Sequence, residues 1–231
     1  IYEDVKDVLK FTQGLILISG PTGSGNTTTL YSILKELNSD DKKIITVEDP
    51  IEYKIDSINQ VPINNKVGLS FELVLKNILR QDPDIIFIGE IRDKFSLDIA
   101  LQASLTGHLV LASIHASSSV ETITRLIDLK ADPFLISTTL KAVMAQRLVL
   151  AHCKSCENGC KKCNFTKFYD RTSISEILKV DEQISSLIFN KASFNELKEY
   201  LKSINFKTIL DDGKQKVKNG LTTLEEVYKV V

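Results

Sequence analysis

The feature that most constrains this chain is a glycine-rich turn between an apolar run and an amphipathic segment. Residues 15–18 are continuously apolar, as in a parallel strand that is buried on both faces. After the turn, apolar residues recur at the spacing of one helix face: Leu30, Ile33, Leu34 and Leu37. A strand, a glycine-rich turn and a helix in this order are the context that a phosphate-binding loop requires. The chain is therefore predicted to be an α/β protein with a nucleotide site at this turn.

The turn matches the motif G-x-x-x-x-G-K-[ST] at every defined position except one. The predicted nucleotide contacts are Gly20, Pro21, Thr22, Gly23, Ser24, Gly25, Asn26, Thr27 and Thr28. Backbone N–H groups and the helix N-terminus would hold phosphate, and the Thr27 hydroxyl would bind Mg²⁺. Asn26 stands where lysine is expected, so we predict weaker nucleotide binding and hydrolysis slower by about 10²–10³. A structural turn without a ligand is the alternative, which the flanking strand and helix disfavour.

Strand-like and helix-like runs alternate through the first two-thirds of the chain. Further strands are predicted at 43–47, 85–88 and 108–114, and helices at 71–79, 95–105, 120–129 and 134–148. This alternation predicts βαβ units and a sheet dominated by parallel strands. From about residue 174 the pattern is helical. We expect a nucleotide-binding core at 1–150, a cysteine knuckle at 151–170 and a small helical C-terminal subdomain at 171–231.

Acidic residues follow two of the predicted strands, at the edge where parallel sheets gather their chemistry. Glu48 and Glu52 follow the strand at 43–47, and Glu90 follows the strand at 85–88. Carboxylates at this edge can orient an attacking water or hold Mg²⁺ through water. Any one of them alone would by default be a solvated surface acid, so their weight comes from occurring together.

Two histidines and two arginines are weaker candidates for the same site. His108 and His115 bracket the strand that ends at Ile114, although a single histidine is more often structural. Arg80 and Arg147 close predicted helices and could face a nucleotide. The helix dipole favours basic residues at that position in any case.

All four cysteines lie within eleven residues, as two C-x-x-C pairs: Cys153, Cys156, Cys160 and Cys163. This clustering favours a metal site in a reducing compartment over disulfides. A packing stripe on a helix is the alternative, but Asn158-Gly159 is a turn signal and lysines interleave with the cysteines. Four converging thiolates favour Zn²⁺. A free thiol cluster or iron–sulfur ligation stays open.

Composition adds few constraints. The formal net charge of −1 gives no global signal for nucleic acid, so no direct nucleic-acid contact is expected. No apolar run approaches the ~20 residues that span a bilayer, and the N-terminus lacks the layout of a signal peptide. We expect a cytoplasmic location. Because the chain begins without an initiator Met, we interpret it as a piece of a longer protein.

Four ordered segments resemble the secretion-superfamily ATPases of type II secretion and type IV pilus assembly: GLILISGPTGSGNTTTLY, ITVEDPIEY, ILRQDPDIIFIGEIRD and ASLTGHLVLASIHA. The resemblance implies a RecA-like motor domain that uses ATP and Mg²⁺ for pilus assembly or protein secretion. It implies that Glu48 activates water with support from Glu52, and that Glu90 lies near Mg²⁺. The other implied residues are His108 and His115 as sensors of the nucleotide, and Arg80 and Arg147 as structural or interface contacts.

The resemblance also implies partners. The family works as homo-hexameric rings in which an N-terminal domain, absent here, supplies arginines to the nucleotide. An inner-membrane platform protein and a membrane-recruiting adaptor are expected partners, which would place the protein at the inner membrane. Assembly and secretion members carry a tetracysteine zinc element at this place, with a longer spacer, whereas retraction members generally lack it.

Two other functions compete with this interpretation. Asn26 is compatible with a non-hydrolysing ring subunit that is structural or senses nucleotide. An ATPase of DNA uptake or type IV secretion is the second alternative, which the near-neutral charge and the cysteine knuckle weaken.

Overall fold

A seven-stranded sheet runs through the molecule, for which the computed structural model describes residues 2–231. The strands are β1 (Gly14–Ser19), β2 (Ile44–Glu48), β3 (Asn59–Pro62), β4 (Ile85–Ile88), β5 (Leu109–Ile114), β6 (Leu140–His152) and β7 (Phe168–Lys179). Their spatial order is β3-β2-β4-β5-β1-β6-β7. All neighbouring pairs are parallel except β6 with β7, which is antiparallel. The predicted α/β fold with a sheet dominated by parallel strands is confirmed.

Helices cover both faces of this sheet. They are α1 (Tyr2–Val8), α2 (Asn26–Leu37), α3 (Phe71–Ile78), α4 (Lys94–Leu105), α5 (Ser119–Asp128), α6 (Pro133–Thr139), α7 (Glu182–Phe189), α8 (Phe194–Ser203), α9 (Ile209–Lys218) and α10 (Leu224–Tyr228). Side chains of β1 alternate between the faces. Ile16 and Ile18 pack in the core under α2, whereas Leu15 and Leu17 pack in the larger core under α3 to α8.

The expected helix at 134–148 is wrong beyond residue 139. α6 ends at Thr139, and Leu140 begins the thirteen-residue strand β6, which pairs with β1 and β7. Its apolar residues are too frequent to distinguish a buried helix from a buried strand by periodicity. Pairing with β1 on one edge and β7 on the other makes this segment a strand, because tertiary contacts override local propensity.

The C-terminal part also differs from expectation. β7 returns the chain to the sheet, so the continuously helical region begins at Glu182 instead of near residue 174. β3 was not predicted, because its sequence NQVP is partly polar and lies exposed at the sheet edge. The other predicted strands and helices are confirmed within a few residues of their bounds, whereas the division into three domains stays a prediction.

The connections place the predicted sites at one edge of the sheet. β1, β2, β4 and β5 run in parallel, so their carboxyl ends, and the loops that follow, meet at the same edge. β6 pairs with β1 as far as Ala145 opposite Ser19, and then continues to His152. The β6–β7 hairpin therefore extends past the end of β1 and carries the cysteines at its tip.

Candidate nucleotide and metal sites

The loop between β1 and α2 forms a cradle that only glycine can build at certain positions. Gly23 and Gly25 have φ values of 82° and 87°, in the left-handed region that favours glycine. A Cβ atom at Gly20 would lie 2.5 Å from Ser24 Oγ and 2.6 Å from the carbonyl oxygen of Gln146. No side chain caps α2, so its first N–H groups are left for a ligand. The cradle fits phosphate.

Two buried polar atoms of the loop have no hydrogen-bond partner among the described residues. They are Ser24 Oγ and Asn26 Oδ1. The Asn26 amide nitrogen lies 3.5 Å from the carbonyl oxygen of Gly20, so the side chain folds back on the loop. Orphaned polar atoms in a cradle are expected where a ligand completes the hydrogen bonding. The loop thus fits phosphate and Mg²⁺ through its backbone and hydroxyl groups, but Asn26 adds no charge.

Gln146 of β6 holds the cradle from the neighbouring strand, a role that sequence reasoning missed. Its amide nitrogen donates to the carbonyl oxygen of Ser24 over 2.8 Å, and its amide oxygen accepts from the Thr29 hydroxyl over 2.8 Å. The side chain is buried. The signal was a lone glutamine within the apolar run at 140–150, which becomes informative only once that run is known to lie beside β1.

Glu48 is buried at the carboxyl end of β2, and both oxygens of its carboxylate accept hydrogen bonds. It accepts from the Thr46 hydroxyl over 2.5 Å, from the Gln60 amide over 3.1 Å and from the Tyr31 hydroxyl. Burial and the adjacent carboxylate raise the pKa of Tyr31 to about 12. These contacts fix Glu48, so it is better placed to position its neighbours than to take a proton from water.

Glu52, like Asp49, is an exposed carboxylate of the same acidic loop. Its backbone N–H donates to the Tyr31 hydroxyl over 3.1 Å, and it lines the cleft that the cradle opens into. Tyr31 of α2 thus links the helix after the phosphate loop to both glutamates. Of the two, Glu52 has the exposure that a group acting on water needs.

Glu90 lies at the carboxyl end of β4 between two basic groups. Its carboxylate accepts from Arg92 Nε over 2.6 Å, and its other oxygen lies 3.1 Å from His115 Nε2. The Glu90 carboxylate raises the pKa of Arg92 above its ordinary value. The structure therefore brings Glu90 and His115, from β4 and β5, together in the cleft.

The cleft has a volume of about 970 Å³ and is strongly acidic. Its carboxylates are Glu48, Asp49, Glu52, Glu90 and Asp93. All nine predicted residues of the phosphate loop, Gly20 to Thr28, also line it, although Thr29 does not. The volume lies within the range typical of small-molecule sites.

Three predicted residues lie outside this cleft. His108 precedes β5, at the amino end of the sheet, and its Nδ1 lies 3.0 Å from the carbonyl oxygen of Ala103. Arg80 is in the turn before β4 at the same end and is exposed. Since parallel strands separate their two ends, neither residue lines the cleft of its own chain. Their contact with a nucleotide stays a prediction.

Arg147 is buried on β6 but faces away from the phosphate loop. Its guanidinium donates to the carbonyl oxygens of Ser117 over 2.7 Å and Gln146 over 2.9 Å. Successive residues of a strand point to opposite faces, so Gln146 takes the loop side and Arg147 the other. It lines a second cavity beside α8 and α9, and its expected contact with a nucleotide stays a prediction.

The four cysteines converge as predicted. Their sulfur atoms all lie within 4.8 Å of one another. Three sulfur–sulfur distances are 3.6, 3.8 and 4.0 Å, close to the ~3.8 Å that four thiolates at ~2.3 Å from a tetrahedral Zn²⁺ would show. The N–H of Cys160 donates to Cys163 Sγ and lowers the pKa of that thiol to about 6. The cluster fits a metal ion.

Comparison with protein families identifies the family of this chain. A family model described as "Type II/IV secretion system protein" matches residues 2–229. The chain belongs to the type II/IV secretion system protein family. This match spans the sheet, the acidic cleft and the cysteine hairpin, so the resemblance expected from the four ordered segments is confirmed.

Curated relatives within this secretion family are similar over nearly the whole chain. The chain is 42% identical to the type II secretion system ATPase E of Vibrio cholerae, covering 99% of this chain and 50% of that protein. It is 40% identical to the type IV pilus assembly ATPase PilB of Thermus thermophilus, covering 98% of this chain and 29% of that protein. The chain therefore spans about half or less of the relatives it matches.

Solved structures of the secretion family share the fold. The pilus retraction motor PilT with bound ADP superposes with a TM-score of 0.82 at 30% identity, covering 99% of this chain and 64% of that one. The ATPase DotB of Legionella pneumophila gives 0.78 at 26% identity, covering 99% and 62%. The predicted ATPase fold is confirmed.

No helix within residues 2–231 has both the length and the apolar character needed to cross a bilayer.

Proposed function

We propose that this chain is the motor domain of an ATPase that drives pilus assembly or type II protein secretion. The observation that carries the proposal is the phosphate cradle, which lines an acidic cleft. The family model matches this chain over residues 2–229. The relatives named as type II secretion and pilus assembly ATPases are similar over the same length. ATP with Mg²⁺ is the proposed substrate.

The proposed roles follow from the geometry of the cleft. The loop backbone, with Thr27 and Thr28, holds phosphates, and Thr27 contributes its hydroxyl to Mg²⁺. Glu52 is exposed and is proposed to orient the attacking water, while buried Glu48 and Tyr31 fix the loop that carries it. This modifies the sequence expectation, which gave the first role to Glu48.

Glu90 and His115 complete the proposed site from the neighbouring strands. Glu90 is proposed to hold the Mg²⁺ hydration shell, because its carboxylate lies in the cleft at the end of β4. His115, 3.1 Å from that carboxylate, is proposed to respond to the terminal phosphate through Glu90. Bound Mg²⁺ supplies charge neutralisation for the phosphates.

The proposed metal at the hairpin is Zn²⁺. It would be held by Cys153, Cys156, Cys160 and Cys163, whose closed set of four sulfurs is typical of a structural site. Zinc would stabilise the hairpin tip and take no part in the reaction. The cysteines also favour an assembly or secretion role over retraction.

The proposed partners belong to the whole protein. We propose a homo-hexameric ring that acts at the cytoplasmic side of the inner membrane, held there by a platform protein and an adaptor. The family membership supports this assembly, and the absence of a cationic surplus supports the expectation that nucleic acid is not a direct partner.

The test is steady-state ATP hydrolysis by the full-length protein, with Asn26 and with Asn26→Lys. Restoring one preorganised cation should raise the rate by about 10²–10³. A rise of this size supports a motor weakened at one residue. If both proteins bind nucleotide but neither hydrolyses it, the protein is a structural or nucleotide-sensing ring subunit, the function that Asn26 itself favours.

A further inference from the structure

The charge balance of the nucleotide cleft is unusual for a site that binds polyphosphate. Five carboxylates line it, and Arg92 is the only arginine or lysine among the described residues that do so. A nucleoside triphosphate brings several further negative charges. The lysine that normally offsets them is replaced by Asn26, whose amide folds back toward Gly20. Mg²⁺ aside, the described cleft offers one permanent cation for the phosphates.

Arg92 has free hydrogen-bonding capacity. Its Nε donates to Glu90, and neither terminal nitrogen has a hydrogen-bond partner among residues 2–231. The side chain is 67% exposed and lies in the loop between β4 and α4, at the carboxyl edge of the sheet. A guanidinium offers two parallel N–H groups that match the spacing of phosphate oxygens. Arg92 can therefore bind phosphate without leaving Glu90.

Arg92 also lies within reach of the outer end of a bound phosphate chain. In the sheet order, β5 alone separates β4 from β1, so their ends are two strand spacings, about 10 Å, apart. The phosphate loop follows β1 and Arg92 follows β4. A triphosphate that extends from the loop toward Glu90 approaches Arg92 with its terminal phosphate, whereas a diphosphate is shorter at that end.

We propose that Arg92 binds the terminal phosphate of ATP and supplies the positive charge that Asn26 lacks. This inference rests on the proposed function and goes beyond it in two ways. It places the cation of the site after β4, whereas the usual lysine belongs to the phosphate loop that follows β1. It also makes Arg92 the residue that distinguishes a nucleoside triphosphate from a diphosphate.

The test is a double-mutant cycle in the full-length protein, with dissociation constants for Mg–ATP and Mg–ADP measured by titration calorimetry. The four proteins are the natural chain, Arg92→Gln, Asn26→Lys and the double variant. In the natural chain, Arg92→Gln should weaken ATP binding by about ten- to a hundredfold, as for loss of a charged hydrogen bond, and ADP binding by less than about threefold. With lysine at 26, the same change should weaken ATP binding by less than about threefold.

Two further variants separate binding from a structural role. Arg92→Lys keeps the charge and should retain part of the preference for ATP. Arg171→Gln removes an exposed arginine on β7 that does not line the cleft, and should leave both affinities unchanged. Equal weakening of ATP and ADP, or the same effect of Arg92→Gln in both backgrounds, would show that Arg92 only positions Glu90 and would overturn the inference.

The remaining outcomes distinguish this inference from the proposed function. If Asn26→Lys binds ATP but the natural chain does not, Arg92 fails to compensate for Asn26 while the site itself is a nucleotide site. If none of the four proteins binds either nucleotide, the proposed function fails, and the inference fails with it.

Discussion

Single hydrogen bonds decide the role of individual residues in the cleft. Glu48 and Glu52 are four positions apart in one acidic segment, and the family resemblance ranked Glu48 first as the water-activating group. The structure gives Glu48 three donors in a buried position and leaves Glu52 exposed. Tyr31 contacts both residues, so its hydroxyl is the group whose loss should report on this arrangement.

Replacing Tyr31 with Phe should lower the free energy of unfolding by about 1–3 kcal/mol, because a buried carboxylate loses one donor. The raised pKa of about 12 adds a pH signature. The folded protein holds the protonated phenol, so this contribution is complete below the ordinary pKa near 10 and is lost as pH rises toward 12. Denaturant unfolding at neutral pH and tyrosinate absorbance between pH 8 and 11 measure the two effects.

The matched control is Tyr169→Phe, which removes an exposed phenol. Tyr169→Phe should leave the free energy of unfolding nearly unchanged, because it removes no buried hydrogen-bond donor. For Tyr31→Phe, the difference in tyrosinate absorbance from the natural chain should stay near zero up to about pH 11. A Tyr31 signal near pH 10 would contradict its burial against Glu48.

At the residue level, sequence predicts best where a motif fixes the local backbone. The four cysteines converge as predicted, and the phosphate-loop residues line one cleft, because each set lies within one short segment. Binding of phosphate by the loop stays a prediction. His108, Arg80 and Arg147 lie outside the cleft, because their place depends on which end or face of the sheet they occupy, and their contact with a nucleotide stays a prediction. Gln146 was missed because its partners, Ser24 and Thr29, lie far from it in the sequence.

The β6–β7 hairpin is the element in which sequence and structure differ most. Its first strand was predicted as part of a helix, although it carries Gln146 on one face and Arg147 on the other. This alternation of neighbouring side chains between opposite faces is the pattern of a strand. The cysteine cluster at the tip connects the two strands and is the only described group of at least three potential metal ligands.

Removing the metal should affect the hairpin and leave the cleft intact. The natural chain is expected to bind about one Zn²⁺, and Cys160→Ser should lose it, because a structural site needs all four thiolates. Amide hydrogen exchange should then rise at residues 153–167, while β1 and α2 keep their protection. Metal analysis and exchange mass spectrometry measure both effects.

Ser155→Ala changes a residue between the cysteines that supplies no ligand and is the matched control. If the natural chain binds iron and shows a visible absorbance band, the four cysteines hold an iron–sulfur cluster instead of Zn²⁺. A natural chain that binds no metal and shows the same exchange as Cys160→Ser would leave only a thiol cluster.

At the scale of the whole molecule, the acidic cleft suggests a site completed by other subunits. One arginine and five carboxylates line the described cleft. Cations supplied by a neighbouring subunit would lower the electrostatic free energy of binding phosphates in this cleft. This agrees with the proposed ring.

The rate of ATP hydrolysis by the full-length protein should therefore increase more than in proportion to protein concentration as subunits assemble. We expect the rate per subunit to increase severalfold across the range in which sedimentation shows assembly, because each site gains cations only within the ring. The 231-residue chain is the control and should show a rate per subunit that stays low and does not change with concentration. A constant rate per subunit for the full-length protein would contradict shared sites.

The sequence by itself determined the fold class, the phosphate loop, the cysteine cluster and the family. Each depends on residues close together in the chain, or on an ordered set of motifs, so local backbone geometry and periodicity suffice. Tertiary structure alone decided that residues 140–152 form a strand, that Glu48 is buried while Glu52 is exposed, and which arginine enters the cleft. Those outcomes depend on pairing between strands distant in sequence, which no local pattern specifies.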